Sequence, residues 1–136
     1  MNKIIKILST ILIMIFMSGC QSTSNENIVP TASKGVIEAA KENLDGKDFF
    51  KINKTSYTFE VTEDGVIKFY EYLPRSGFYV WDSVQIKNDS FTMACEYFRD
   101  YLNLGMVMQI QFVGRRGRVE TYDNQRCEDL SELMSQ

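Results

Sequence analysis

The chain contains no histidine, so whatever chemistry it carries falls to its cysteines, carboxylates and arginines. Without an imidazole, Ser-His-Asp and Cys-His nucleophile pairs and histidine-ligated metal sites are excluded. Carboxylate-only hydrolysis needs two acids opposed across a cleft. Asp48, Glu60, Asp64, Glu71, Asp82, Glu96 and Asp100 are scattered along the sequence, no two are singled out, and they read as solvated surface charges. Gly114 and Gly117 enclose Arg115 and Arg116 between two expected strands, without the following helix that a phosphate-cradling loop requires. The expectation is therefore no enzyme, no cofactor and no metal site. Three cysteines remain, at positions 20, 95 and 127.

Cys20 stands at the end of a patterned leader. Lys3 and Lys6 form a basic start, Ile7 to Met17 an apolar run, and small Ser18 and Gly19 lead into the cysteine, the order of an export signal. The run falls short of the roughly 20 apolar residues that span a bilayer, so a cleaved signal covering residues 1–19 is expected. A cysteine at the cut resembles the bacterial lipobox, with Met17 in place of the usual leucine. The alternative is an ordinary secretory signal with an incidental cysteine. The lipobox implies a diacylglyceryl thioether and an acylated amine on Cys20, such as palmitate, holding an otherwise soluble chain on a membrane. Gln21, rather than an aspartate, resembles the choice made in lipoproteins that the Gram-negative sorting machinery passes to the periplasmic face of the outer membrane.

Cleavage removes two lysines and no acids, leaving 13 basic and 18 acidic side chains, a net charge of −5. That balance excludes nucleic acid as a bulk-charge partner. The remaining length supports one small core, so a single domain over residues 33–136 is expected behind a lipidated tether at 20–32. In an oxidising compartment Cys95 and Cys127 read as a disulfide, there being no CxxC or histidine to suggest metal. Closing that loop is worth roughly 3.5–4 kcal/mol on the chain-entropy model.

Residues 21–32 are rich in Ser, Thr, Asn and Gln, carry Pro30 and lack periodicity, as a flexible tether does. Ser33 reads as an N-cap, and Val36, Ile37, Ala40 and Leu44 recur on one face of a helix over 34–44 stopped by Gly46. Tyr57, Phe59 and Val61 alternate with polar residues as a strand, Asp64-Gly65 marks a hairpin, and a return strand covers 66–73. After a turn at 74–77, the stretch 78–87 reads as a third strand. Asn88 or Asp89 then caps a second helix carrying Phe91, Ala94, Cys95, Phe98 and Leu102 on one stripe. Gly105 ends it; residues 106–113 and 118–122 form two further strands around a hairpin tip. The expected fold is α+β: an antiparallel sheet of about five strands with two main helices on it. Cys95 and Cys127 would clamp helix to sheet.

Three features bear on binding. Met93, Tyr97 and Tyr101 form a second stripe on the second helix, which either packs on the first helix or tail, or walls a groove together with Val36, Ile37 and Ala40. Arg115, Arg116 and Arg118 are either a solvated hairpin tip or a contact for anionic headgroups or an acidic partner segment. Tyr79 and Trp81 are either core or an exposed aromatic anchor.

Taken together, the lipobox at Cys20, the polar tether, the first helix, the strand with Tyr57-Thr58-Phe59, the Gly65 hairpin, a helix with Cys95, a strand led by Gly105 and a late Cys127 resemble the pilotin lipoproteins of type II secretion systems, of the AspS type. The resemblance spans nearly the whole mature chain. Departures are the acidic tail from Glu128 to Gln136 and the aromatic stretch from Tyr70 to Trp81. It implies a disulfide-bonded domain whose groove captures the helical C-terminal segment of a secretin subunit and assists that subunit's targeting and assembly in the outer membrane. The alternatives are a periplasmic lysozyme-inhibitor lipoprotein, whose nearly all-β barrel has no place for a helix at 91–102, and a phage- or plasmid-borne surface-exclusion lipoprotein.

Overall fold

The computed structural model describes residues 27–46, 57–74 and 77–136. The signal segment, Cys20, most of the tether and the turn residues Arg75 and Ser76 lie outside the described residues. Helix α1 (Lys34–Leu44) comes first, then strands β1 (Tyr57–Val61) and β2 (Val66–Tyr72). A helical stretch follows as α2 (Ser83–Phe91), a π turn (Thr92–Tyr97) and α3 (Arg99–Asn103). The chain ends with β3 (Val107–Val113), β4 (Val119–Tyr122) and α4 (Asn124–Met134).

The fold is α+β, with a sheet of four strands in the order β1-β2-β3-β4. It is mixed rather than antiparallel: β1 and β4 run antiparallel to their neighbours, while β2 and β3 are parallel from Val66↔Val107 to Tyr72↔Val113. The expected third strand at 78–87 does not form. Residues 78–82 are irregular and α2 starts at Ser83, five or six residues before the expected capping sites Asn88 and Asp89. Asp82 accepts hydrogen bonds from the Val84 and Gln85 backbone N–H groups at 2.9 and 3.0 Å, which satisfies orphan donors of the first turn. With a helix in place of a strand, the chain crosses over the sheet and re-enters parallel to β2, as a long helical connection permits and a tight hairpin does not.

Strand parity puts Phe59, Val61, Ile67, Phe69, Met108, Ile110, Phe112 and Tyr122 in the core, together with Ile37, Ala40 and Leu44 of α1 and Ala94, Phe98 and Leu102 of the helical crossover. The opposite sheet face is polar: Lys68 pairs with Glu60 at 3.5 Å, and the Tyr70 hydroxyl donates to the same carboxylate at 3.2 Å. The molecule is therefore a two-layer sandwich with one wet sheet face. Ser90 and Tyr122, both buried, satisfy each other by a hydroxyl–hydroxyl bond of 2.9 Å.

The π turn is closed by Phe98 N–H donating to the Met93 carbonyl, five residues back, at 3.1 Å. Its extra residue keeps Ala94 and Cys95 on the core side without disturbing burial of Phe98 and Leu102. Cys95 is bonded to Cys127 with their Cα atoms 5.4 Å apart. Cys127 lies in the first turn of α4, capped by Asp123 accepting from Arg126 N–H at 2.8 Å. The disulfide thus joins helix to helix, and the acidic tail is largely a helix rather than an extension past the sheet. Arg99 of α3 pairs with Glu128 of α4 at 3.5 Å across the same junction.

Candidate binding cleft

At the end of the sheet where β2 and β3 finish, the helical layer stands slightly off the strands. The inward row Tyr57↔Glu71↔Phe112 forms one wall there. Gln85, Asn88 and Asp89 of α2, with Thr92, Met93 and Tyr97 of the π turn, form the other. Between them lies an open cleft of about 450 Å³, floored by Phe69 and Ile110.

Its apolar walls are held in place from behind. Tyr57 stacks on Phe69 with ring centroids 5.3 Å apart and planes 12° off parallel, and Phe69 leans on Phe59 at 4.9 Å. Trp81 meets Phe112 edge-on at 4.9 Å, and its indole N–H donates to the Val113 carbonyl at 3.2 Å. Trp81 is thus core, while Tyr79, two residues earlier, is 55% exposed. Phe112 cannot swing away from the cleft without breaking this contact.

One charged group interrupts the apolar surface. Glu71 faces inward from β2, half-buried; burial in this apolar corner, and secondarily the Asp89 carboxylate across the cleft, raise its pKa from 4.5 to about 7. At neutral pH the carboxyl is therefore poised between its two protonation states. It can donate a hydrogen bond when protonated or hold a cation when ionised. The cleft thus suits an occupant presenting apolar side chains beside one polar or basic group.

No family model, curated protein or solved structure matches this chain. The cleft must be read from its own residues. Of the six groove candidates, Met93 and Tyr97 line it, and Tyr97 is 67% exposed. Tyr101 does not: the α3 turn carries it to the core margin, stacked on Phe98 at 6.1 Å. Ile37 and Ala40 are buried between α1 and the sheet, and Val36 packs at the edge of that contact, so α1 contributes no wall. The expected groove between α1 and the second helix is replaced by one between the second helix and the sheet end.

The arginine cluster is also divided. Arg118 Nε donates to Glu120 at 2.7 Å, and the other oxygen of that largely buried carboxylate accepts from Arg126 at 2.8 Å. Arg118 is structural, whereas Arg115 and Arg116 are exposed and make no ion pair among the described residues. Glu71 and Asp89 themselves were not paired by sequence reasoning. The available signal was parity: an acid two residues beyond Phe69 on a strand whose alternate positions Ile67 and Phe69 face inward.

Proposed function

We propose that this protein is an outer-membrane lipoprotein, anchored through Cys20, that acts as a pilotin by binding the helical C-terminal segment of a secretin subunit and assisting its targeting and assembly. The observation that supports the reading best is the cleft between α2, the π turn and the sheet end. It is open along one side and walled by Met93, Tyr97 and Tyr57. An amphipathic helix needs such a surface and no chemistry from its receptor, and flexible methionine and rigid tyrosine suit that task. A volume of about 450 Å³ takes a few anchor side chains of a helix rather than the helix itself, leaving the rest of the segment along the outside. Glu71 and Asp89 then favour a segment that places a lysine or arginine beside its apolar anchors. The helical layer also weighs against the all-β inhibitor alternative.

The test is titration calorimetry of the chain from Gln21 to Gln136 against C-terminal peptides of the secretins encoded in the same genome. Micromolar or tighter binding with a gain in peptide helicity supports the reading. Absence of heat with every peptide, from a chain shown to be folded, refutes it and shifts the assignment to the inhibitor or exclusion class.

A further inference from the structure

A second surface lies beyond the cleft, at the pole where β2 and β3 end. Residues 77–80 lie there as an exposed loop. Gly77 has φ +114°, and a side chain on it would meet the Tyr79 ring at 2.5 Å. The tyrosine therefore lies back over the glycine while Phe78 projects fully exposed, with Val80 also on the surface. Phe78, Tyr79 and Val80 are exposed side by side, and a contiguous apolar patch, unlike a single exposed side chain, marks an interaction surface. The β3–β4 hairpin tip is fastened to this loop: Trp81 N–H donates to the Arg115 carbonyl at 3.0 Å. Arg116 is the one non-glycine among the described residues with positive φ, at 61°, a backbone that turns the tip sharply and leaves both arginines exposed. The acid next to the loop, Asp82, directs its carboxylate to the start of α2.

We infer that the Phe78–Val80 loop and Arg115–Arg116 together form a contact site for an anionic lipid bilayer. Aromatic residues beside arginines are the composition favoured at headgroup depth, the rings entering the interface and the guanidinium groups meeting phosphate. The mature chain carries a net of −5, so an anionic surface repels most of the molecule and this pole sets the orientation. The tether leaves from the other pole, where Thr31 N–H donates to the Gly105 carbonyl at 2.8 Å, just ahead of β3. The strand layer between the poles is about 20 Å long at 3.3 Å per residue. The eleven residue-to-residue steps from Cys20 to Thr31 reach at most about 36–40 Å when extended, so an anchor at Cys20 leaves this pole free to turn onto a bilayer. The inference is independent of what occupies the cleft.

Vesicle co-sedimentation of the unacylated chain from Gln21 to Gln136 tests it. Among the described residues all the buried apolar side chains fall between Ile37 and Cys127, so this chain keeps the core. Binding is expected to vesicles containing one-third phosphatidylglycerol and not to pure phosphatidylcholine, and to weaken with salt. Each of Arg115→Gln and Arg116→Gln should lower the partition about fivefold, and Phe78→Ser at least about tenfold. All three positions are exposed, and circular dichroism verifies that the variants fold. Equal partition onto both vesicle types, no partition onto the anionic ones, or partition retained by the triple variant would overturn the inference.

Discussion

Glu71 on β2 and Asp89 on α2 face one another across the cleft, and the charge of Asp89 adds to burial in holding the Glu71 carboxyl near pKa 7. The two belong to different layers, Glu71 to the sheet and Asp89 to the helical crossover that follows it, so their relation depends on α2 lying where it does.

Glu71 makes stability fall with rising pH. The folded chain keeps this proton up to about pH 7, while the unfolded chain releases it near 4.5. Between those values the native state binds more protons, so stability declines through that window and stays lower above it. Glu71→Gln should add on the order of 1–3 kcal/mol at pH 8 and change little at pH 4. Urea denaturation at the two pH values measures this; an equal effect at both would mean that Glu71 titrates normally.

Asp89→Asn should remove the smaller cause only, lowering the Glu71 midpoint while leaving it above the ordinary carboxylate range. Side-chain carboxyl chemical shifts followed by NMR through pH 4–9 would report it. A Glu71 midpoint unmoved by the substitution would place the Asp89 charge outside its reach.

Loss of the disulfide should be felt at the junction of the π turn and α4. Cys127→Ser is expected to destabilise the domain by roughly 3–4 kcal/mol and lower its yield. Coincident melting curves for the oxidised and reduced protein would remove the clamp from this account.

Asp82→Ala leaves the Val84 and Gln85 N–H groups without their acceptor and should cost about 1 kcal/mol, with helical content lost chiefly from α2. The change is measurable as a shift in denaturation midpoint; no shift would mean that the cap is replaced by water.

Tyr97→Ala tests the cleft itself. On the pilotin proposal, secretin-peptide binding should weaken by about tenfold or more, as for a central aromatic anchor, while the melting temperature moves by only a few degrees. A loss of binding no larger than that seen for Tyr101→Ala would place the peptide elsewhere.

Legibility in the sequence followed the range of the signals. Helix α1, the Gly65 hairpin, the last strand and the Cys95–Cys127 pair were readable, because each is announced by neighbouring residues or by a small number of partners. Residues 78–87 misled because Phe78 to Trp81 is an aromatic and β-branched run that directly follows a turn, the composition of a strand. The competing signal, Asp82 followed three residues later by Gln85, is a capping pattern and prevailed. That one reversal carried others with it: a helix there turned an antiparallel neighbour into a parallel one and moved the groove from α1 to the sheet end. In the tail the acidic charge masks a helix that Asp123 caps and on which Cys127 and Leu130 recur on one face. Glu71 and Glu120 were legible only through strand parity, which places both acids inward, against the habit of assigning carboxylates to water.

The bond between Thr31 and Gly105 decides what yields first when the entering chain is pulled. A side chain on Gly105 would meet the Thr31 hydroxyl at 2.6 Å and the Ala32 nitrogen at 2.9 Å, so the chain entering the domain is seated directly on the head of β3. That strand is flanked by β2 on one side and β4 on the other. A pull on the chain ahead of Thr31 runs along the backbone through Ala32 and Ser33 into α1, so the single Thr31–Gly105 bond yields before any ladder bond of the sheet is loaded.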